Sequence, residues 1–179
     1  MIPEIGQLAL ALAFVVALAQ GIVPLVGAHR GDAALMGFAR RAALIQFALV
    51  ATAFACLATS FLNSDFSVLN VAQNSFTSLP AQYKLAATWG SHEGSLLLWA
   101  LMLAGWSAAV ALRSRNLPAP MLARVLAVMG LVAVGFLAFL LLTSNPFERL
   151  VPPAPEGRDL NPLLQDPGLV FHPPMLYMG

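Results

Sequence analysis

Four long apolar runs organise the chain, over about Ile5–Ala28, Ala42–Leu62, Gly94–Leu112 and Met121–Thr143. Each is roughly 19–24 residues, or about 28–36 Å as a helix, which matches the roughly 30 Å hydrocarbon core of a bilayer. Helices are the available solution, because lipid offers no partner to a backbone N–H or C=O and each segment must satisfy its own. A fifth apolar run opens at Pro173. The pattern predicts an all-α, polytopic membrane helix bundle: four full transmembrane helices plus the start of a fifth. Residues 1–143 would form the four-helix portion, with an amphipathic segment at about 80–93. Residues 144–172 would be a Pro-rich loop and 173–179 the start of the fifth helix.

Composition agrees. Of 179 residues, 59% are hydrophobic and only 9% charged, against about 25% charged in a soluble domain. The net charge of +1, without a basic cluster, excludes nucleic acid as a partner and leaves membrane lipid. Cys56 is the single cysteine, so it reads as a small buried hydrophobe. The opening "MIPEIGQ" has a glutamate and no basic residue, which predicts an uncleaved membrane helix rather than a signal peptide.

Charge also orients the bundle. Arg30, Arg40 and Arg41 flank the first connection, and Arg113, Arg115 and Arg124 the third. The second connection has only Lys84, and the long tail only Arg149 and Arg158. The positive-inside rule then makes the first and third connections cytoplasmic. The N-terminus, residues 63–93 and residues 144–172 would lie outside, in a bacterium the periplasm. Eight of 13 prolines fall between Pro146 and Pro174, so the tail is expected to be turn-rich, with its leucines and phenylalanines packed on something. No Asp, Glu, Lys or His stands in the middle of a span, which argues against an ion-coupled transporter. Gln20 and Gln46 are expected to bond across helices.

Two stretches carry candidate chemistry. In "PAQYKLAATWGSHEGSLLLW" (80–99), Lys84, Thr88, Ser91, His92 and Ser95 recur at spacings of three and four. That spacing makes a polar stripe on an interfacial helix. Trp89 offers a flat face, and Lys84 a cation for an anionic edge, as a planar tetrapyrrole requires; an ordinary interfacial belt uses the same residue types. His92 beside Glu93 is a further candidate, with a solvated pair as the plain alternative. In "FHPPMLYMG" (171–179), the residue before a proline is pushed out of the helical region, and proline suits the first helical position. His172 is thus predicted to cap an incoming span at the outer surface. There the helix dipole disfavours an imidazolium and leaves the neutral, ligating imidazole.

The segments "MIPEIGQLAL", "YKLAATWGSHEGSLLLW" (83–99), "NPFERL" (145–150) and "PEGRDLNPLLQDPGLVFHPPMLYMG" (155–179) together resemble the CcmF family. CcmF-type proteins are the large membrane subunit of the cytochrome c haem lyase. The resemblance runs through the whole chain in order. It implies a bacterial inner-membrane protein that takes haem b from the haem chaperone CcmE. It would help join that haem to the CxxCH cysteines of apocytochrome c at the periplasmic face, beside CcmH/CcmI-type partners. It implies that His172 is an axial ligand to haem iron, with Trp89, His92 and Lys84 as secondary haem contacts.

The family pattern also holds a tryptophan-rich WWD segment, a second periplasmic histidine and intramembrane histidines, none of which occurs here. The resemblance therefore implies an N-terminal portion, inactive alone and completed by the remainder of the CcmF protein. The related lyase subunit dedicated to nitrite reductase cytochromes shares much of the pattern. A non-catalytic scaffold that docks other maturation proteins is the alternative of a different class.

Overall fold

The computed structural model describes residues 1–114 and 116–178; Arg115 and Gly179, both used in the sequence reading, lie outside the described residues. The elements are α1 (Ile2–Arg30), α2 (Ala33–Leu62), α3 (Leu69–Asn74), α4 (Ala81–Ala87), α5 (His92–Arg113), α6 (Ala119–Leu142) and α7 (Pro167–Met178), with a 3-10 turn at Pro162–Gln165. Among the described residues the only β pairing recorded is a bridge between Val68 and Arg149. α1, α2 and α5 contain the first three apolar runs, α6 carries the fourth up to Leu142, and all four are long and apolar enough to cross a membrane.

Local chemistry sets the ends of these helices. α1 closes on Gly31, which adopts φ 73° and returns its N–H to Gly27, a left-handed conformation that glycine takes without a Cβ clash. Asp32 follows and accepts the N–H groups of Ala34 and Leu35, so α2 starts one residue later. Ser91 caps α5 by accepting the Gly94 N–H at 3.0 Å.

The four long helices form a ring: α1 against α2 and α6, and α5 against α2 and α6, with α2 and α6 also touching across the diagonal. The side chains are distributed inside out. Ala9, Ala13, Ala17 and Gly21 of α1 face inward at every fourth position, while Ile5, Leu8, Leu12, Val15 and Ile22 point outward. Water would penalise that surface; lipid does not, and the small inward residues let backbones approach. At Gly130 of α6 an added Cβ would lie 3.0 Å from Gln20 Cγ and from the Gly21 nitrogen. The Gln20 amide bridges three helices there, donating to Ser107 Oγ of α5 at 3.2 Å and to the Leu126 carbonyl of α6 at 2.8 Å. Gln46 is buried as well, but its Oε1 has no partner among the described residues. Cys56 is half-buried against the core. The chain is a multi-pass membrane protein.

One end of the ring is capped. Residues 63–91 and 144–166 fold onto each other and onto the start of α1. Leu69 N–H donates to the Glu148 carbonyl, Leu150 N–H to Ser67 and Arg158 N–H to Ala72, at 2.7–2.8 Å. Phe147 and Leu160 are buried in the main core, so the Pro-rich tail is packed. The Arg149 guanidinium meets Glu4 at 2.6 Å, Asp65 at 3.5 Å and the Ser67 hydroxyl. At the opposite end lie the tight turns, where Arg40 Nη2 donates to the Ser114 carbonyl at 3.1 Å.

Candidate functional site: helix α7 and its seat

α7 begins six residues before the proline pair that is expected to open it, at Pro167. The reason is local. Asp166 Oδ1 accepts the Gly168 N–H at 2.8 Å, its carbonyl accepts the Val170 N–H at 3.0 Å, and Pro167 fills the first helical position. His172 therefore stands inside the helix, followed by Pro173 and Pro174, which are internal. It is not a cap, and the helix-terminus argument for its protonation state does not apply at that position. The preference of a pre-proline residue for extended backbone is overridden here by the start at Asp166–Pro167 and by docking.

Docking is specific. Trp89 Nε1–H donates to the Val170 carbonyl at 3.0 Å. The Tyr177 hydroxyl lies 3.2 Å from Ser95 Oγ, and Ser95 Oγ donates to the Trp89 carbonyl at 2.7 Å. The Tyr177 ring stacks on Trp99, with centroids 5.5 Å apart and an interplanar angle of 12°. Trp99 in turn meets Phe136 of α6 edge-on at 4.9 Å. Beyond Tyr177, Met178 reaches an apolar groove of about 380 Å³ between α2 and α5. α7 thus descends along α5 from the capped end.

Seven residues separate Val170 from Tyr177, which brings them to about 20° of each other on a helix at 100° per residue. His172 lies about 200° from Val170 by the same geometry. It points away from α5 and is exposed. Its helical neighbours on that side, Phe171, Met175 and Leu176, are exposed at 69%, 67% and 62%. The imidazole has no hydrogen-bond partner recorded among the described residues. One unpaired nitrogen ligand within an exposed apolar surface fits one face of an apolar macrocycle that carries an axially ligated metal.

The other candidates sit elsewhere. Lys84, expected to meet an anionic ligand edge, is buried, and its ammonium donates to Ser64 Oγ at 2.6 Å and to the Thr77 carbonyl at 3.0 Å. The expected polar stripe is turned inward, with Lys84, Thr88 and Ser91 all buried. The reason is that α4 ends at Ala87 and the chain bends before α5, so 80–93 is not one surface helix. In the same cap, Glu156 accepts the Gly157 and Thr77 N–H groups and the Thr77 hydroxyl. These bonds, the Gly157 N–H foremost, hold its carboxyl below the usual range, and Lys84 adds to the effect. Trp89 is half-buried and spends its N–H on α7. His92 is exposed at the first turn of α5, edge-on to Phe139 at 6.2 Å, beside a groove lined by Leu96, Val132 and Phe136. His92 and His172 thus serve different surfaces. The docking roles of Ser95, Trp99 and Tyr177 escaped the sequence reading; "QDPG" held the signal for the start of α7, as an Asp cap followed by Pro.

The description "Cytochrome C assembly protein" belongs to the family that matches residues 89–179, which opens at Trp89 and takes in α5, α6 and α7. The chain is 63% identical over 180 residues to the cytochrome c-type biogenesis protein CcmF of Pseudomonas aeruginosa, covering 100% of this chain and 27% of that protein. It is 57% identical to the CcmF of Escherichia coli, covering 100% of this chain and 28% of that one. A solved structure titled cytochrome c heme lyase CcmF matches with a TM-score of 0.86 at 26% identity, over 99% of this chain and 28% of that one. The chain thus spans little more than a quarter of the length of these relatives.

Proposed function

Because this chain belongs to the cytochrome C assembly protein family, we propose that it handles haem as part of a cytochrome c haem lyase in a bacterial inner membrane. The capped end, with the N-terminus, faces the periplasm. His172 would ligate the haem iron, with Phe171, Met175 and Leu176 placed to line the macrocycle. The observation that carries this reading is the placement of His172: exposed, unpaired among the described residues, within an apolar face, on a helix fixed to the bundle from its other side.

The same placement says what the chain does not supply. His172 looks away from α5, so Trp89 and Trp99 lie behind α7 and not against a haem held by His172. Lys84 is a clasp of the cap. His172 presents a single ligating nitrogen, so a second ligand and the opposite haem surface would be supplied from outside α7. Haem supplies the vinyl groups to which the CxxCH thiols of apocytochrome c add. The residues of this chain present the haem and hold it at the membrane surface, for delivery from the chaperone CcmE and in company with CcmH/CcmI-type partners.

The test is His172→Ala in the complete lyase, read as covalent cytochrome c formed in cells and as the Soret band of the purified protein. Loss of both, with the protein still in the membrane at normal abundance, is expected. Cytochrome c yield and Soret band equal to wild type would overturn the assignment and favour a scaffold role.

A further inference from the structure

Helix α7 contains Pro173 and Pro174. Proline has no N–H, and in an α-helix the N–H of residue 174 is the natural donor to the carbonyl of residue 170. That carbonyl, on Val170, accepts the Trp89 indole N–H at 3.0 Å instead. The replacement donor comes from outside the helix, from the turn between α4 and α5. That turn is tightly built: the Ser95 hydroxyl donates to the Trp89 carbonyl at 2.7 Å, and a Cβ on Gly94 would fall 1.8 Å from the Thr88 carbonyl oxygen.

From this geometry we propose that Trp89 is a positioning residue for His172. An intrahelical N–H bonds along the helix axis and leaves the helix free to turn about it. An indole N–H arriving from the side fixes the rotation. With Tyr177 held by Ser95 and Trp99 on the same face, α7 is pinned at two points, and the opposite face, with His172, is held outward. Pro174, two residues after His172, thus frees the acceptor by which the ligand-bearing helix is oriented. This rests on the reading of His172 as the haem ligand and assigns to Trp89 a part in it without haem contact.

The experiment uses the protein in lipid nanodiscs, as wild type, Trp89→Phe, Trp89→Phe with Pro174→Ala, and His172→Ala. Amide exchange over 167–178 reports the helix, exchange in α1 reports the fold, and haem titration followed at the Soret band reports the ligand. Trp89→Phe is expected to speed exchange in α7 about fivefold, the effect of one lost hydrogen bond, and to weaken haem binding by a similar factor, with α1 unchanged. Pro174→Ala in that background returns an N–H to the Val170 carbonyl. Protection should recover while haem affinity stays low, because an internal donor does not set rotation. Recovery of affinity together with protection would overturn the proposal, as would Trp89→Phe that changes neither readout. Wild-type affinity in His172→Ala would remove the ligand assignment itself, and the inference with it, and that variant alone identifies this failure.

Discussion

At the scale of single residues, the same side-chain chemistry means different things depending on what surrounds it. Lys84 and His172 were both read as ligand groups, and only His172 faces outward. Lys84 is buried with its charge on Ser64 and Thr77, so Lys84→Met should loosen the cap and leave the haem affinity of purified, folded protein within about twofold of wild type, provided lysine serves only structure. Gln20 behaves as its position in an uncharged span suggested, bonding across helices. Gln20→Leu should destabilise the bundle by about 1 kcal/mol in a detergent unfolding titration, since intramembrane hydrogen bonds are worth roughly 0.6 kcal/mol on average and both Ser107 and the Leu126 carbonyl lose the Gln20 donor. Exposure is what separated the two candidates, and a residue's identity carries no information about it.

At the scale of elements, close approach and caps decide where helices start and how near they lie. Gly94 has the Thr88 carbonyl oxygen 1.8 Å from where its Cβ would be, whereas Gly135 has nothing within 4 Å. Gly94→Ala should therefore cost at least about 3 kcal/mol, because backbone must shift, and Gly135→Ala should be neutral or stabilise by up to about 1 kcal/mol through helix propensity. Thermal unfolding followed by circular dichroism orders the pair. Asp166→Ala should fray the start of α7 at a cost of about 1 kcal/mol, seen as faster amide exchange in 168–171. The long spans were legible from their apolar runs, but α2 starts at Ala33, nine residues before its run, because Asp32 caps it, and α5 starts at His92, two residues early, behind the Ser91 cap. α7 starts six residues before its proline pair. The signal of its proline pair was read as a helix start, while the Asp–Pro cap upstream and the Trp89 hydrogen bond allowed the helix to run through it.

At the scale of the whole molecule, the cap is one cooperative structure assembled from segments far apart in sequence. Glu156 ties residue 77 to the tail, and its folded carboxyl titrates below the ordinary 4.5. A lowered folded value means that its contribution is fully present above about pH 4.5 and is lost as pH falls through the lower folded value. Proteolysis of residues 63–79 and 150–165 should accordingly be slow at pH 6 and quicken as the pH falls below the ordinary 4.5. Glu156→Gln should weaken that step, and an unchanged pH profile in this variant would assign it to another carboxylate.

Membrane residence, the four spans and their alternation followed from the sequence alone, because apolar length against bilayer thickness is a one-dimensional quantity and lipid enforces helical hydrogen bonding segment by segment. That Lys84 is buried and what holds α7 were decided only in three dimensions. Each depends on a partner 20 to more than 80 positions away, as with Lys84 and Ser64 or Trp89 and Val170, and no local pattern encodes a contact whose two halves meet only when the helices pack.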